Sequence, residues 1–275
     1  MTPPAIRLAG VRRTFTAADG STLVALDGLY LEIAAHEIVA IIGPNGSGKS
    51  TLLRIVGGLL GADAGTVEVE GRPVTGPDRA IGFVFQEPRL LPWRDALANV
   101  AYPLELAGTP RTDREARARE VLRLVGLAGF EATRPARMSG GMRQRVALAR
   151  ALAHAPSVVL LDEPFSALDA LTRERFDVEL LGLWEQTATT VVVVTHSIPE
   201  AVLLADRVVV LSPRPGRVAR IVRSPLTRPR RLEDLDSPAL AAAAAEVRAA
   251  LSIDDSVGDP DVGSPTLDAA GRAGP

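Results

Sequence analysis

Cysteine is absent from all 275 residues, which excludes disulfides and thiolate metal sites and suits a reducing compartment. Lysine is nearly absent as well. Of 31 basic residues, 30 are arginines and the remaining one is Lys49. No uninterrupted apolar run approaches the ~20 residues needed to span a bilayer, and the N-terminal stretch Met1 to Arg7 lacks the apolar segment of a signal peptide. The formal net charge of -2 supplies no global field to attract nucleic acid or an acidic membrane. The expectation is a chain soluble by itself, with any membrane role reached through a partner. What is present is ordinary for a globular protein with a sizeable core: 47% hydrophobic and 23% charged residues.

Hydrophobic periodicity gives the organisation. Residues 5–34 alternate short apolar runs with the turn Ala18-Asp-Gly-Ser21, predicting antiparallel strands. Ile38 to Ile42 is a continuous, mostly β-branched run, the mark of a strand buried on both faces. A helix is predicted over Thr51 to Leu60, and strands over Val67 to Glu70 and Ile81 to Phe85. From about Leu97 to Ala153 the character is helical, with a charged amphipathic stretch at Asp113 to Val125. Strands at Val158 to Leu161, Thr190 to Val194 and Arg207 to Leu211 then alternate with helices at Ala170 to Gln186 and Ile198 to Leu204. That alternation predicts an α/β fold, a mostly parallel sheet with flanking helices, an antiparallel β subdomain and an inserted helical subdomain. After Pro225 an alanine-rich helix at Pro238 to Leu251 leads into a Gly/Pro/Asp/Ser tail, Asp254 to Pro275, read as disordered and passive.

Three motifs carry chemistry. Gly43-Pro44-Asn45-Gly46-Ser47-Gly48-Lys49-Ser50-Thr51 follows the buried strand and opens a helix, as a phosphate-cradling loop requires. Its glycines let successive backbone N–H groups curl around phosphate oxygens at a helix N-terminus. Lys49 reaches the β- and γ-phosphates, and the Ser50 hydroxyl serves Mg²⁺. The lone lysine fits this position, because a slim ammonium on a flexible stem is not imitated by a planar guanidinium. Val158 to Leu161 then ends in Asp162 and Glu163. Asp162 suits the Mg²⁺ shell. Extended neighbours point to opposite faces, so Glu163 is assigned to polarising a water as general base. Finally, Met138-Ser139-Gly140-Gly141-Met142 opens a helix, with Ser139 placed 23 residues before Asp162. It makes a second anion-binding N-terminus without a lysine. Two half-sites for one phosphate suggest that each serves a different nucleotide, as in a head-to-tail dimer.

This ordered set resembles the ABC transporter ATPases over residues 5 to about 222, whose signature is usually written L-S-G-G-Q. The resemblance implies a P-loop NTPase core at 1–225, a helical signature subdomain at about 87–155, and a C-terminal extension at 226–275. It also implies roles: Gln86 in the metal and water shell with Ser50 and Asp162, and His196 as a γ-phosphate sensor. Asp169 belongs to the D-loop Ser166-Ala-Leu-Asp169, and Phe15 either stacks on adenine or is strand core. Ser139, Gly140, Gly141 and Met142 would touch ATP held by the opposite subunit of a homodimer. Met142 stands where glutamine is usual, and Ser197 follows His196 where many relatives have aspartate.

Val84-Phe-Gln86-Glu-Pro-Arg-Leu-Leu-Pro92-Trp93-Arg94, the Gly-Gly-Met-Arg-Gln signature and Arg214-Pro-Gly-Arg217 resemble the nitrate/sulfonate/taurine importer subfamily. The implied protein is a peripheral ATPase on the cytoplasmic face of the membrane, working with integral permease subunits and, indirectly, a solute-binding protein. It would energise uptake of a small anionic solute such as an aliphatic sulfonate, taurine or nitrate, with ATP as substrate, Mg²⁺ as cofactor and no nucleic acid as partner. The stretch Pro88 to Trp93 is read as a docking surface or as core. Two alternatives are a soluble ABC ATPase acting on nucleic acid or ribosomes and a non-ABC P-loop kinase. Lys49→Arg is expected to abolish or cripple ATP hydrolysis, measured as phosphate release; hydrolysis near the parent rate contradicts the assignment.

Overall fold

The computed structural model describes residues 3–16, 19–165, 170–187 and 189–253. The first two strands, β1 (Ile6–Thr16) and β2 (Thr22–Ile33), pair antiparallel, and β1 also pairs with β4 (Ala64–Val69), which carries the short β5 (Arg72–Pro73). A second sheet holds β3 (Ile38–Ile42), β6 (Ile81–Val84), β7 (Val158–Asp162), β8 (Thr190–Val194), β9 (Arg207–Leu211) and β10 (Val218–Arg223) in the order β10-β9-β3-β8-β7-β6. The five strands from β9 to β6 are parallel, and β10 closes one edge antiparallel.

The apolar runs in the parallel strands are buried on both faces, as their composition requires. Ile38, Ala40 and Ile42 pack into one hydrophobic cluster, while Val39 and Ile41 pack into another. The second cluster lies between the two sheets and includes Leu52, Leu53 and Ile55 of helix α1 (Lys49–Val56). The first cluster is covered by α2 (Ala96–Leu106), α3 (Arg111–Leu124), α4 (Gly140–Leu152), α5 (Ala170–Thr187), α6 (Ile198–Leu204) and α7 (Pro238–Ile253).

Several boundaries differ from the sequence reading. Helix α1 begins at Lys49 because Gly48, at φ 88°, turns the chain into it. It ends four residues before Leu60 because Gly58 takes φ +67°, where an added Cβ would lie 2.1 Å from the Gly76 carbonyl oxygen. Arg207–Leu211 is not the last strand of its sheet. Only Val222 is buried along β10, so this edge strand carries too little apolar alternation to be recognised in sequence.

Between β6 and β7 the regular elements are the helices α2, α3 and α4 and a 3₁₀ turn at Pro135–Arg137, joined by loops. Beyond β10, Arg228 and Arg230 both ion-pair with Asp206, and the side chain of Arg230 is only 1% exposed. Leu240, Ala243 and Val247 set one face of α7 into the core. The tail 254–275 lies outside the described residues. No helix among the described residues is long and apolar enough to cross a membrane.

Candidate active site

Parallel pairing lines up the carboxyl ends of four adjacent strands. β3 runs into the Gly43–Thr51 loop, its neighbour β8 into His196, β7 into Asp162 and Glu163, and β6 toward Gln86. Crevices at such strand ends are where open α/β sheets take ligands. An open cavity of about 360 Å³ there is lined by Phe15, Asn45, Gly46, Gly48 to Thr51 and Glu163, together with Leu23, Ala25 and Arg214. Phe15 is 38% exposed on this wall, with the Arg13 guanidinium 5.1 Å from its ring centroid, so it is not strand core.

Lys49 is 6% exposed and folds back over its own loop, donating to the carbonyls of Gly43 (2.9 Å) and Pro44 (3.0 Å). Burial lowers its pKa against the opposing charges of Glu163 and Asp162. Asp162 is 3% exposed; burial raises its pKa, opposed by the hydrogen bond it accepts from Ser50 Oγ at 2.7 Å. Each shift marks a desolvated charge that gains from a ligand of opposite sign. The buried Ser47 hydroxyl has no hydrogen-bond partner. A lysine short of an anion and a carboxylate–hydroxyl pair short of a cation together fit a nucleotide polyphosphate with a divalent ion.

Glu163 corrects one step of the sequence reading. It does not continue the strand but sits at φ +45°, with its N–H on the Val194 carbonyl at 3.0 Å. The two carboxylates are therefore parted by a left-handed turn, not by strand alternation. Such a conformation costs of the order of 1–3 kcal/mol for a residue with a Cβ and is concentrated at functional sites. Glu163 Oε2 lies 3.3 Å from Gln86 Nε2 and 3.5 Å from His196 Nδ1, so three residues distant in sequence meet at one oxygen.

Signature residues are not brought to this cavity. Ser139 caps α4, its Oγ accepting from the Met142 N–H at 3.2 Å, and Gly140 and Gly141 form the first turn. Met142 does not simply forfeit an amide; its side chain packs against the core. Within this chain none of Ser139 to Met142 lines the cavity. Asp169 and the rest of the D-loop lie outside the described residues. Ser197 caps α6 by accepting from the Glu200 N–H at 3.4 Å.

Other residues here escaped the sequence reading. Arg150 of α4 donates to the carbonyls of Arg89 (2.8 Å) and Pro88 (2.9 Å). Asn99 of α2, fully buried, accepts from the Leu91 N–H and donates to the carbonyls of Leu91, Arg94 and Asp95. These two side chains fasten the segment after Gln86 to the helical layer. Trp93 on that segment is 69% exposed, which removes the reading of it as core. Under the His196 turn, Thr195 Oγ1 donates to Glu200 Oε2 at 2.9 Å. Burial raises the Glu200 carboxyl to about 7 and that of Asp177 to about 8, each further raised by neighbouring acids. Asparagine or glutamine could fill such positions, so nothing in the sequence marks them.

Three comparisons bear on this geometry. The family model described as ABC transporter matches residues 26–166. An uncharacterized ABC transporter ATP-binding protein of Methanocaldococcus jannaschii is 50% identical over 77% of this chain and 79% of its own. A taurine import ATP-binding protein of Pseudomonas entomophila is 50% identical over 72% of this chain and 77% of its own. A dimeric ATP-binding cassette solved in a post-hydrolysis state with ADP and Pi superposes with a TM-score of 0.72 at 36% identity, covering 81% of this chain and all of that one.

The raised carboxyls give a signed prediction. A carboxyl whose folded pKa is raised lends stability that is complete below the unfolded carboxylate range and is lost as pH climbs through about 7 for Glu200 and about 8 for Asp177. Asp177→Asn removes one such loss. Urea unfolding should show the variant gaining on the parent by more than about 1 kcal/mol between pH 5.5 and 8.5; a difference independent of pH contradicts the burial argument.

Proposed function

The chain belongs to the ABC transporter family of ATP-binding subunits, and we propose that within it the chain is the ATPase of an importer for a small anionic solute of the sulfonate, taurine or nitrate kind. The observation that carries the catalytic part is the meeting of Gln86, His196 and Glu163 beside the Lys49 loop. Taurine import ATP-binding proteins are among its relatives over most of their length, which favours the importer reading over action on nucleic acid or ribosomes.

The roles follow from position. Lys49 trades two backbone carbonyls for phosphate oxygens. Ser50 and Asp162, with Gln86, are the residues to hold Mg²⁺, which neutralises phosphate charge when bound. Glu163 takes a proton from the attacking water as the γ-phosphate leaves, and Gln86 and His196 orient that carboxylate and sense the phosphate. Phe15 stacks on the adenine. Residues 1–225 form the ATPase unit, with 87–155 as its signature subdomain and 226–275 as an extension.

Ser139, Gly140 and Gly141 lie at an exposed helix N-terminus outside the cavity, so the anion they suit belongs to a second copy. ATP binding closes two copies around two nucleotides, hydrolysis reopens them, and the cycle is a population shift between open and closed pairs. Movement passes to permease subunits through the segment carrying the exposed Trp93, which Arg150 and Asn99 make one piece with the helices. A solute-binding protein would deliver the solute, and the location is the inner face of the membrane.

Glu163→Gln keeps size and hydrogen bonding but not basicity. The variant should bind Mg-ATP, elute as a dimer in size-exclusion chromatography only with ATP, and lose at least roughly 100-fold in turnover. Hydrolysis near the parent rate removes Glu163 as the base.

A further inference from the structure

Residues 212–217, the hairpin between β9 and β10, cross the phosphate loop and carry an arginine into its cavity. Gly216 is clamped between two elements: its N–H donates to the Ala25 carbonyl at 2.9 Å and its carbonyl accepts from the Asp27 N–H at 3.2 Å. An added Cβ on Gly216 would lie 2.0 Å from the Ser47 carbonyl oxygen, so only glycine lets the hairpin rest on the loop. Ser212 ties the hairpin base, its N–H on the Arg217 carbonyl at 2.9 Å and its Oγ accepting from the Arg217 N–H at 3.0 Å. Arg217 is ion-paired with Asp27 of β2.

Arg214 is held at the tip of this clamped segment and differs from Arg217 in its surroundings. Its Nε approaches the Gly46 carbonyl at 3.4 Å, and its side chain lines the cavity with Phe15, Lys49 and Glu163. Nη2 lies 2.6 Å from where a Cβ on Gly46 would sit, so a side chain at position 46 would displace the guanidinium. Among the described residues no carboxylate lies within ion-pairing distance of Arg214. The charged side chains of the cavity wall are thus Lys49, Arg214 and Glu163, an excess of positive charge around a space open to a ligand. An exposed guanidinium that touches the phosphate loop and has no carboxylate partner among the described residues matches phosphate oxygens in charge and in donor geometry.

We propose that Arg214 is a nucleotide-binding residue, contacting the phosphates of the nucleotide in the same chain as a second cation beside Lys49. The proposal rests on the ATP-binding reading and deepens it. Because the guanidinium reaches the cavity from the β9–β10 hairpin, the loop, β2 and the hairpin together form one wall.

The test compares the parent with Arg214→Gln and Arg214→Lys by calorimetric titration with Mg-ATP, Mg-ADP and adenosine. The glutamine variant should bind ATP and ADP roughly 10- to 100-fold more weakly, with adenosine affinity and the melting temperature without nucleotide unchanged, and lysine should restore part of the loss. Unchanged ATP affinity in the glutamine variant overturns the proposal, and so does an equal loss for adenosine, which would mark a structural role. A parent that binds no ATP refutes the ATPase reading itself; a parent that binds ATP beside an unaffected glutamine variant refutes only the role of Arg214.

Discussion

Parallel pairing of β3, β8, β7 and β6 is the constraint on which the rest depends. The register sets Ile41 opposite Val194 and Val194 opposite Asp162, so three strands end at nearly one level. β3, β7 and β8 are buried on both faces, so a one-residue slip would exchange their side chains between the two hydrophobic clusters. The register brings Lys49, Asp162, Glu163, His196 and Gln86 within reach of one another. Asp162, Glu163, His196 and Gln86 lie at or within two residues of their strand ends, and Lys49 follows β3 across the tight Gly43–Gly48 loop.

Electrostatics explains why the site is poised for a ligand. Burying Lys49 and Asp162 disfavours both charges, and neither is fully compensated inside the chain. On the proposed ATPase reading, a polyphosphate with a divalent cation would bring a partner to each, and binding would offset the desolvation incurred on folding. The effect extends one layer deeper. Glu163 is among the charges that raise Glu200, and Glu200 accepts the hydroxyl of Thr195, the residue before His196. The turn presenting His196 is thus linked to the charge of Glu163 through a buried carboxyl as well as at its surface.

Much of this was legible in the residues. β3, β8, β9 and α6 have the limits that periodicity predicts, because buried β-branched runs and a proline-led helix leave few alternatives. The phosphate loop and the Asp162–Glu163 pair were legible because glycine spacing and adjacent carboxylates are chemically specific. What was not legible depends on tertiary contact. The left-handed turn at Glu163 is imposed by its bond to Val194, and β10 is strand only because β9 offers an edge. Arg150 acts on carbonyls far along the chain, Asn99 closes a turn that only the folded segment reveals, and Asp177 is known by its burial near Glu200. The Arg214-Pro-Gly-Arg217 stretch stands out as a subfamily mark, but nothing in it shows that the Arg214 side chain reaches the cavity. The exposure of Trp93 likewise needed the fold, since an apolar Leu-Leu-Pro-Trp stretch reads equally well as core.

The ATPase reading makes the nucleotide site composite: Lys49 of one copy and Ser139 of another act on the same phosphate. The most direct measurement mixes two inactive variants, Lys49→Ala and Ser139→Arg, and follows phosphate release. In a head-to-tail pair the mixed dimer contains one site with both lesions and one with neither, so the account predicts that hydrolysis reappears on mixing. If mixed dimers form and release no phosphate, the shared-site account is contradicted.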